Sequence, residues 1–365
     1  MKYAIEQVWI QKEAMDAPLT CRLVQALAKK GVKILQGPDV EEAMKTLLLE
    51  SDPFRKGKRV IRLVRHKGRA VRPCPGTRRY LCCNLQILHL GQGCPMDCRY
   101  CALQAYLNSP VLDVFVNREE ILQDLEKHLA LHSGRFHRLC TGEFTDSLAL
   151  NPLIDLTTDL VNFFSKVKNA SLELKTKTNH IDPLLKANGN GRIIVSFSVN
   201  ADQIIQKDEL FSVTLSKRLK AARKLEQQGY KVGFHFDPVV PLPDWEQGYL
   251  ATVREIAAHV HPENIAWISL GVLRFVPELK EVVLSRFGVV PYLHDAFVRG
   301  RDGKCRLYVE KRIKIYRVLF EYIQSYLPNV RVYLCMESPH VWEKALGISM
   351  KTNESLEQYL DNAVR

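Results

Sequence analysis

The sequence predicts an α/β protein: a partial barrel of six strand–helix units, preceded by a small N-terminal βαβ unit and followed by a helix-and-strand extension. Three observations lead there. Between Asn84 and Leu270, short apolar runs alternate with segments of helical periodicity, the pattern of parallel strands joined by helical crossovers. Six such units are too few for a closed eight-fold barrel, but they suffice for a three-quarter barrel whose open side can admit a large substrate. A chain of 365 residues with 46% hydrophobic composition can bury a barrel-sized core and still carry appendages.

In chain order, residues 3–10 read as a strand, 19–30 as an amphipathic helix closed by Gly31, 32–35 as a second strand and 41–50 as a short helix. Barrel strands are expected at 84–90, 136–141, 171–176, 193–199, 231–236 and 265–270, with helices at 118–132, 153–167, 182–187, 215–228 and 245–260. Residues 299–306 form a basic turn in which Asp302-Gly303 suits a hairpin. A helix at 311–326 packs on the barrel, and 330–335 reads as the last strand. The expected division is 1–80, 81–275 and 276–365, with a basic linker ending the first part.

Chemistry in a parallel barrel gathers where its strands end, and these ends are polar. The first strand runs into Cys94, Cys98 and Cys101; the second into Cys140, Glu143 and Asp146; the third into Lys177 and His180. The fourth ends in Ser196, Ser198 and Asn200, the fifth in His235 and Asp237, and the sixth is followed by Arg274. Three thiols at C-x3-C-x2-C spacing let one short loop hold three corners of an iron–sulfur cube and leave the fourth iron open to a substrate or cofactor. A closed zinc site wants four ligands, and Cys74, Cys82 or Cys83 would have to supply the fourth.

The net charge of +12 is concentrated: residues 55–80 hold eleven Lys or Arg and no Asp or Glu. Such a block is either a solvated loop or a patch that neutralises backbone phosphates. Its candidate contacts are Arg62, Arg65, Lys67 and Arg69, joined by Arg301, Lys304 and Arg306 from the basic turn. No apolar run approaches the roughly 18 residues of a membrane span. The N-terminus has no signal-peptide core, and ten cysteines, three grouped as metal ligands, fit a reducing compartment. A cytoplasmic protein without a membrane partner is expected, and the oligomeric state stays open.

The cysteine spacing is that of radical S-adenosylmethionine (SAM) enzymes, whose open iron binds the methionine part of SAM. Together with Ala102-Leu103-Gln104-Ala105-Tyr106, Pro73-Cys74-Pro75-Gly76-Thr77, Cys82-Cys83, the run from Cys140 to Ser147, the run from Thr176 to Asp182 and Ser196-Phe197-Ser198-Val199-Asn200, it makes the chain resemble the spore photoproduct lyase family. The resemblance implies a radical SAM partial barrel holding a [4Fe–4S] cluster and SAM, and acting on a thymine dimer in DNA. The electron would come from a donor such as a flavodoxin or ferredoxin. In that family a 5′-deoxyadenosyl radical takes a hydrogen atom from the dimer, and a cysteine thiol returns one to the product. Cys140 matches the thiol donor, Tyr100 a tyrosine of the radical relay and a cofactor neighbour, and Lys177 and Ser198 cofactor-binding positions. Glu143 and Asn200, in the matching segments, complete the implied cofactor set. The chain departs from the lyases in two places: Ala102 stands where a second tyrosine is usual, and the hairpin from Gly300 to Glu310 carries one aromatic, Tyr308. A lyase-like enzyme acting on another nucleic acid, a protein or a small molecule is the alternative, and a non-catalytic metal-containing nucleic-acid-binding protein is a second.

Overall fold

The computed structural model describes residues 5–77, 79–187 and 191–365. Its strands, in chain order, are β1 (Gln7–Ile10), β2 (Lys33–Gln36), β3 (Val60–Val64), β4 (Val71–Pro73), β5 (Gln86–Leu88), β6 (Gly91–Gln92), β7 (Asp97–Cys98), β8 (Leu112–Phe115) and β9 (His137–Cys140). They continue as β10 (Ala170–Thr176), β11 (Ile193–Ser198), β12 (Glu209–Leu210), β13 (Lys231–Val239), β14 (Ile265–Val272), β15 (Arg274–Phe275), β16 (Phe297–Arg299), β17 (Cys305–Leu307) and β18 (Val332–Leu334). The main sheet has the order β18-β14-β13-β11-β10-β9-β5-β4, parallel from β18 to β5. Its six central strands are those expected, and it curls into a partial barrel.

The alternation along these strands explains why the barrel forms and why it has a chemical interior. Leu172, Leu174, Val195, Phe197, Phe234, Phe236, Ile268 and Leu270 are fully buried, on the face covered by the crossover helices. The residues between them, Glu173, Lys175, Ser196, Ser198, His235, Asp237 and Ser269, point the other way because side chains alternate along a strand. Register keeps that second face continuous: Cys140 lies opposite Glu173, Lys175 opposite Ser196, His235 opposite Ser269, and Ser269 opposite Tyr333.

Three expectations about organisation change. The strand expected at 84–90 is two strands: β5 lies in the barrel, then the chain crosses at His89 so that β6 joins the small sheet, whose order is β2-β1-β3-β8-β6. That sheet therefore extends past Tyr80 to Phe115, and β3 runs through what composition suggests is a linker. At the other end β17 pairs with β15 and β18 joins the barrel sheet, so the extension is woven into the barrel wall. The open side is also spanned. Leu81 donates its N–H to the Glu337 carbonyl at 3.0 Å, the N–H of Cys82 reaches Asn353 Oδ1 at 2.9 Å, and Arg138 pairs with Asp361 at 2.8 Å in full burial.

The helix expected at 153–167 is broken at Asp155, which takes φ +44°. Asn151 Oδ1 accepts from the N–H groups of Leu156 and Thr157 and restarts the helix there. Among the described residues, no helix is long and apolar enough to cross a membrane.

Candidate active site

The three cysteines of the loop after β6 line one cleft with Lys58, Asp97, Gln104 and Arg286. The loop is held from several sides. Gly93 has φ +86°, and a Cβ there would lie 2.7 Å from the Val111 carbonyl, so only glycine fits. The Gly93 N–H donates to the Phe144 carbonyl at 2.9 Å, while Thr145 Oγ1 donates to the Gly93 carbonyl at 2.7 Å. Lys58 Nζ donates to the carbonyls of Cys94 and Met96, and Arg286 grips both oxygens of Asp97 at 3.0 Å.

Burial pushes the Cys94 thiol up to about 12 and raises Cys98 well above its ordinary value too, so a metal that displaces their protons must bind them strongly. Among the described residues no three His, Cys, Asp or Glu side chains converge tightly enough for a single ion. Three thiols line this one cleft, the number a cubane with one open iron takes from the protein, where a closed zinc site takes four ligands. The fourth zinc ligand also falls elsewhere, since Cys74 and Cys83 pack with Cys140 and Phe144 around the end of β9. Cys82 stands beside them, against Gly76.

Tyr100 and Lys177 are brought together by a residue that sequence reasoning did not single out. The Tyr100 hydroxyl donates to Glu209, Lys177 Nζ lies 3.6 Å from the same carboxylate, and Lys177 stands 5.9 Å from the centre of the Tyr100 ring. Arg218, fully buried, holds the other Glu209 oxygen at 2.6 Å. Burial alone would raise Glu209, but Arg218 and Lys177 outweigh it and hold the carboxyl down at about 2. Burial and the Glu209 charge raise Tyr100, which stays a phenol.

Ser198 ends β11 beside this group, its carbonyl accepting from Arg218 at 2.8 Å. Asn200 is different. Its Nδ2 donates to the Pro238 carbonyl at 3.0 Å and its Oδ1 accepts from the Tyr249 hydroxyl at 2.5 Å, so its side chain is spent on joining strand ends and is not free for a cofactor.

Cys140 is completely buried on the inward face of β9, and burial pushes its thiol up to about 12. Beside it lies a polar network in which Glu173 Oε1 accepts from Ser196 Oγ at 2.5 Å and Trp267 Nε1 at 2.9 Å, and meets His235 Nε2 at 2.7 Å. Burial would lower His235, but Glu173 and Asp237 outweigh it and raise it. Glu143, half-buried on the loop after β9, acts electrostatically on Cys74 and Lys175. Glu173 and Lys175 lie inside β10, Glu209 opens β12 and Arg218 sits in the helix Leu215–Gln227, none of them at an obvious motif position. Only the inward-facing polar residue at every second position of β10 signalled the first two.

Several of the expected phosphate contacts are already engaged. Arg62 sits on β3 and grips Asp113 through Nε at 2.7 Å and Nη2 at 2.9 Å, and Arg65 pairs with Glu120. Arg306 is 1% exposed; it pairs with Asp302 at 2.7 Å and lies 4.0 Å over the Tyr80 ring. It holds the hairpin of β16 and β17 to the barrel and is not a surface contact. Lys304 is half-buried beside Met336. Lys67, Arg69 and Arg301 are exposed.

A parallel partial barrel with a three-thiol loop beyond its first strand defines the radical SAM class. The model of the family described as spore photoproduct lyase matches residues 3–334, and the chain belongs to that family. It is 29% identical to the spore photoproduct lyase of Geobacillus sp. (strain Y412MC61), over 67% of this chain and 74% of the relative. With that of Bacillus subtilis (strain 168) it shares 28% identity over 66% and 73%. A solved spore photoproduct lyase complexed with dinucleoside spore photoproduct superposes with a TM-score of 0.80 at 23% identity, covering 92% of this chain and all of the other. A variant of that enzyme with bound AdoMet and the same dinucleoside gives 0.79 at 23%, over 90% and 98%.

Proposed function

We propose that this protein is a radical SAM lyase that reverses a thymine dimer in DNA. Its family and the lyases it resembles support that reading. The observation in the fold that carries it is the thiol of Cys140, sealed on the inward face of the barrel wall. A [4Fe–4S] cluster held by Cys94, Cys98 and Cys101, with SAM beside Tyr100, Lys177 and Ser198, would supply the radical that opens the reaction, given an electron from a donor such as flavodoxin or ferredoxin.

The chain's own residues account for the rest. Burial keeps Cys140 as S–H at neutral pH, the form that can give a hydrogen atom to a carbon radical; a thiolate has none to give. Tyr100, likewise kept protonated, can pass on a hydrogen atom in turn. Burial shields both from water and from side reactions. Glu143, half-buried on the loop after β9, would join the cofactor contacts. Outside the barrel, Lys67, Arg69 and Arg301 are the exposed cations that would meet the phosphates of damaged DNA.

Anaerobic incubation of the reconstituted protein with a short dimer-containing oligonucleotide, SAM and dithionite tests the reading. Restoration of two intact thymines is expected. SAM cleavage with the dimer left untouched would move the protein to another substrate.

A further inference from the structure

We propose that Lys175 binds substrate: its ammonium, in the barrel interior beside the Cys140 thiol, donates hydrogen bonds to a carbonyl oxygen of a pyrimidine in the dimer. The inference rests on the dimer-reversing reading above and names the protein group that holds the base.

Position comes first. In the register of β9 and β10, Glu173 stands opposite Cys140, and Lys175 is the next inward-facing residue toward the end of the strand where the cysteine loop lies. Its backbone is bracketed by Ser147, whose Oγ accepts the Lys175 N–H and whose own N–H donates to the Lys175 carbonyl, both at 3.0 Å. Its stem is pinned by Gly142, where a Cβ would lie 2.7 Å from the Lys175 Cβ. The side chain is therefore built to leave the wall at one fixed point.

The head of this side chain lacks partners. An ammonium carries three donors; among the described residues the nearest carboxylate oxygen to Lys175 Nζ is Glu173 Oε2 at 3.8 Å, too far for a hydrogen bond. The other oxygen of Glu173 already serves Ser196, His235 and Trp267. Burial works against the charge, but the carboxylates of Glu173 and Glu143 outweigh it, so Lys175 stays an ammonium. Lys175 is half-buried, its side chain 19% exposed, so its unused donors stand open to an acceptor that enters beside it.

Charge selects the ligand. Glu173 and Glu143 already compensate Lys175, and a phosphate brought to it would meet both carboxylates. A neutral carbonyl meets neither repulsion, and a pyrimidine offers such oxygens on the ring to which Cys140 must return its hydrogen atom. Cys74 and Cys83 pack with Cys140, and Tyr333 stands opposite Ser269 on the same sheet, weakly polar neighbours suited to a base.

The test is calorimetric binding, without reductant, to the cluster-reconstituted full chain with SAM present. Two probes are compared: a dinucleoside dimer without phosphate and the corresponding dinucleotide dimer with its bridging phosphate. Lys175→Met should lose about ten- to hundredfold in affinity for both probes alike, and Lys175→Arg should recover part of it. Iron content and SAM affinity should not change. Wild-type affinity of Lys175→Met for both probes overturns the inference and leaves the dimer-reversing reading intact. A loss confined to the dinucleotide assigns Lys175 to phosphate and overturns the carbonyl contact. A parallel loss of iron or SAM binding makes Lys175 structural and overturns it too. If the wild type binds neither probe, the dimer reading fails and takes the inference with it.

Discussion

Tyr100 and Lys177 meet on one carboxylate: the phenol donates to Glu209, and the ammonium lies 3.6 Å from the same group. Behind them Arg218 pairs with Glu209 at 2.6 Å, both side chains without exposure. The arrangement fixes two of the expected cofactor neighbours from the barrel side. Lys177→Ala should weaken SAM binding and leave iron content unchanged, as titration of the two variants against SAM would show. Glu209→Ala should do more, because it strands Arg218 in the core. Losing one partner of a buried pair costs about 3–5 kcal/mol, to be read from denaturant unfolding. Equal stability of Glu209→Ala and wild type would remove Glu209 from this role.

Anaerobic reconstitution should install about four irons per chain, as expected for a cube held by three thiolates. Replacing Cys94, Cys98 or Cys101 by Ala should abolish the brown absorption. Replacing Cys74, Cys82 or Cys83 should not, since Cys74 and Cys83 pack around Cys140, with Cys82 beside them and away from the loop. One zinc and no iron in the purified protein would contradict the cluster.

Acid should unfold the protein in a defined window. Glu209 and Asp237 are each held down at about 2 although burial alone would raise them; Arg218 with Lys177, and His235 with Arg274, outweigh it. A carboxylate whose pKa is depressed by folding contributes stability that is complete above its unfolded value, near 4.5 for Glu and 3.8 for Asp. That stability is lost as pH falls toward the folded value. Melting temperature should therefore hold near neutrality and drop between about pH 4.5 and 2, less steeply in Glu209→Gln. A flat profile through that window would show that neither pair stabilises the fold.

The exposed cations predict salt behaviour. Lys67→Glu with Arg69→Glu should weaken binding to nucleic acid and flatten its dependence on salt, each lost phosphate contact removing about 0.9 from the logarithmic slope. Arg62→Glu should instead destabilise the fold, because Arg62 holds Asp113 in a two-point pair. Salt-independent binding in the wild type would leave Lys67 and Arg69 as a solvated loop.

Arg62 shows where sequence reading stops. Residues 55–80 contain no acid, so composition alone makes them an unpaired basic block. Yet Lys56, Lys58, Arg59, Arg62 and Arg65 find Glu50, Asp97, Glu6, Asp113 and Glu120, and four of these acids are brought there by folding over a distance that no local window sees. The six barrel strands were legible because period-two alternation and crossover helices are local signals. The cysteine loop was legible because its ligands sit within one turn of chain. Glu209 was not: it follows a short helix, belongs to the two-residue β12, and gains meaning only when that strand pairs with β7 and sets it beside Tyr100. The spanning of the barrel's open side was hidden for the same reason, since Arg138 and Asp361 lie 223 residues apart in the chain.

Cys140 separates repair from other radical chemistry. Its side chain is fully buried against Leu85 and Ile87, so Cys140→Ala removes one sulfur from a packed wall. The cavity should cost at most a few kcal/mol, as for other small buried truncations, and the cysteine loop, which is held by Lys58, Arg286 and Gly93, should keep its cluster. If the thiol quenches the product radical, the variant should still cleave SAM and still open the dimer. The product radical would then be trapped by other reagents, and adducts should replace the two intact thymines. Mass analysis of a short dimer-containing oligonucleotide, incubated with each protein, SAM and dithionite, reads this directly. Clean thymine from both proteins would reduce Cys140 to a space-filling side chain. Adducts from the variant alone, at unchanged iron content, would fix it as the hydrogen donor.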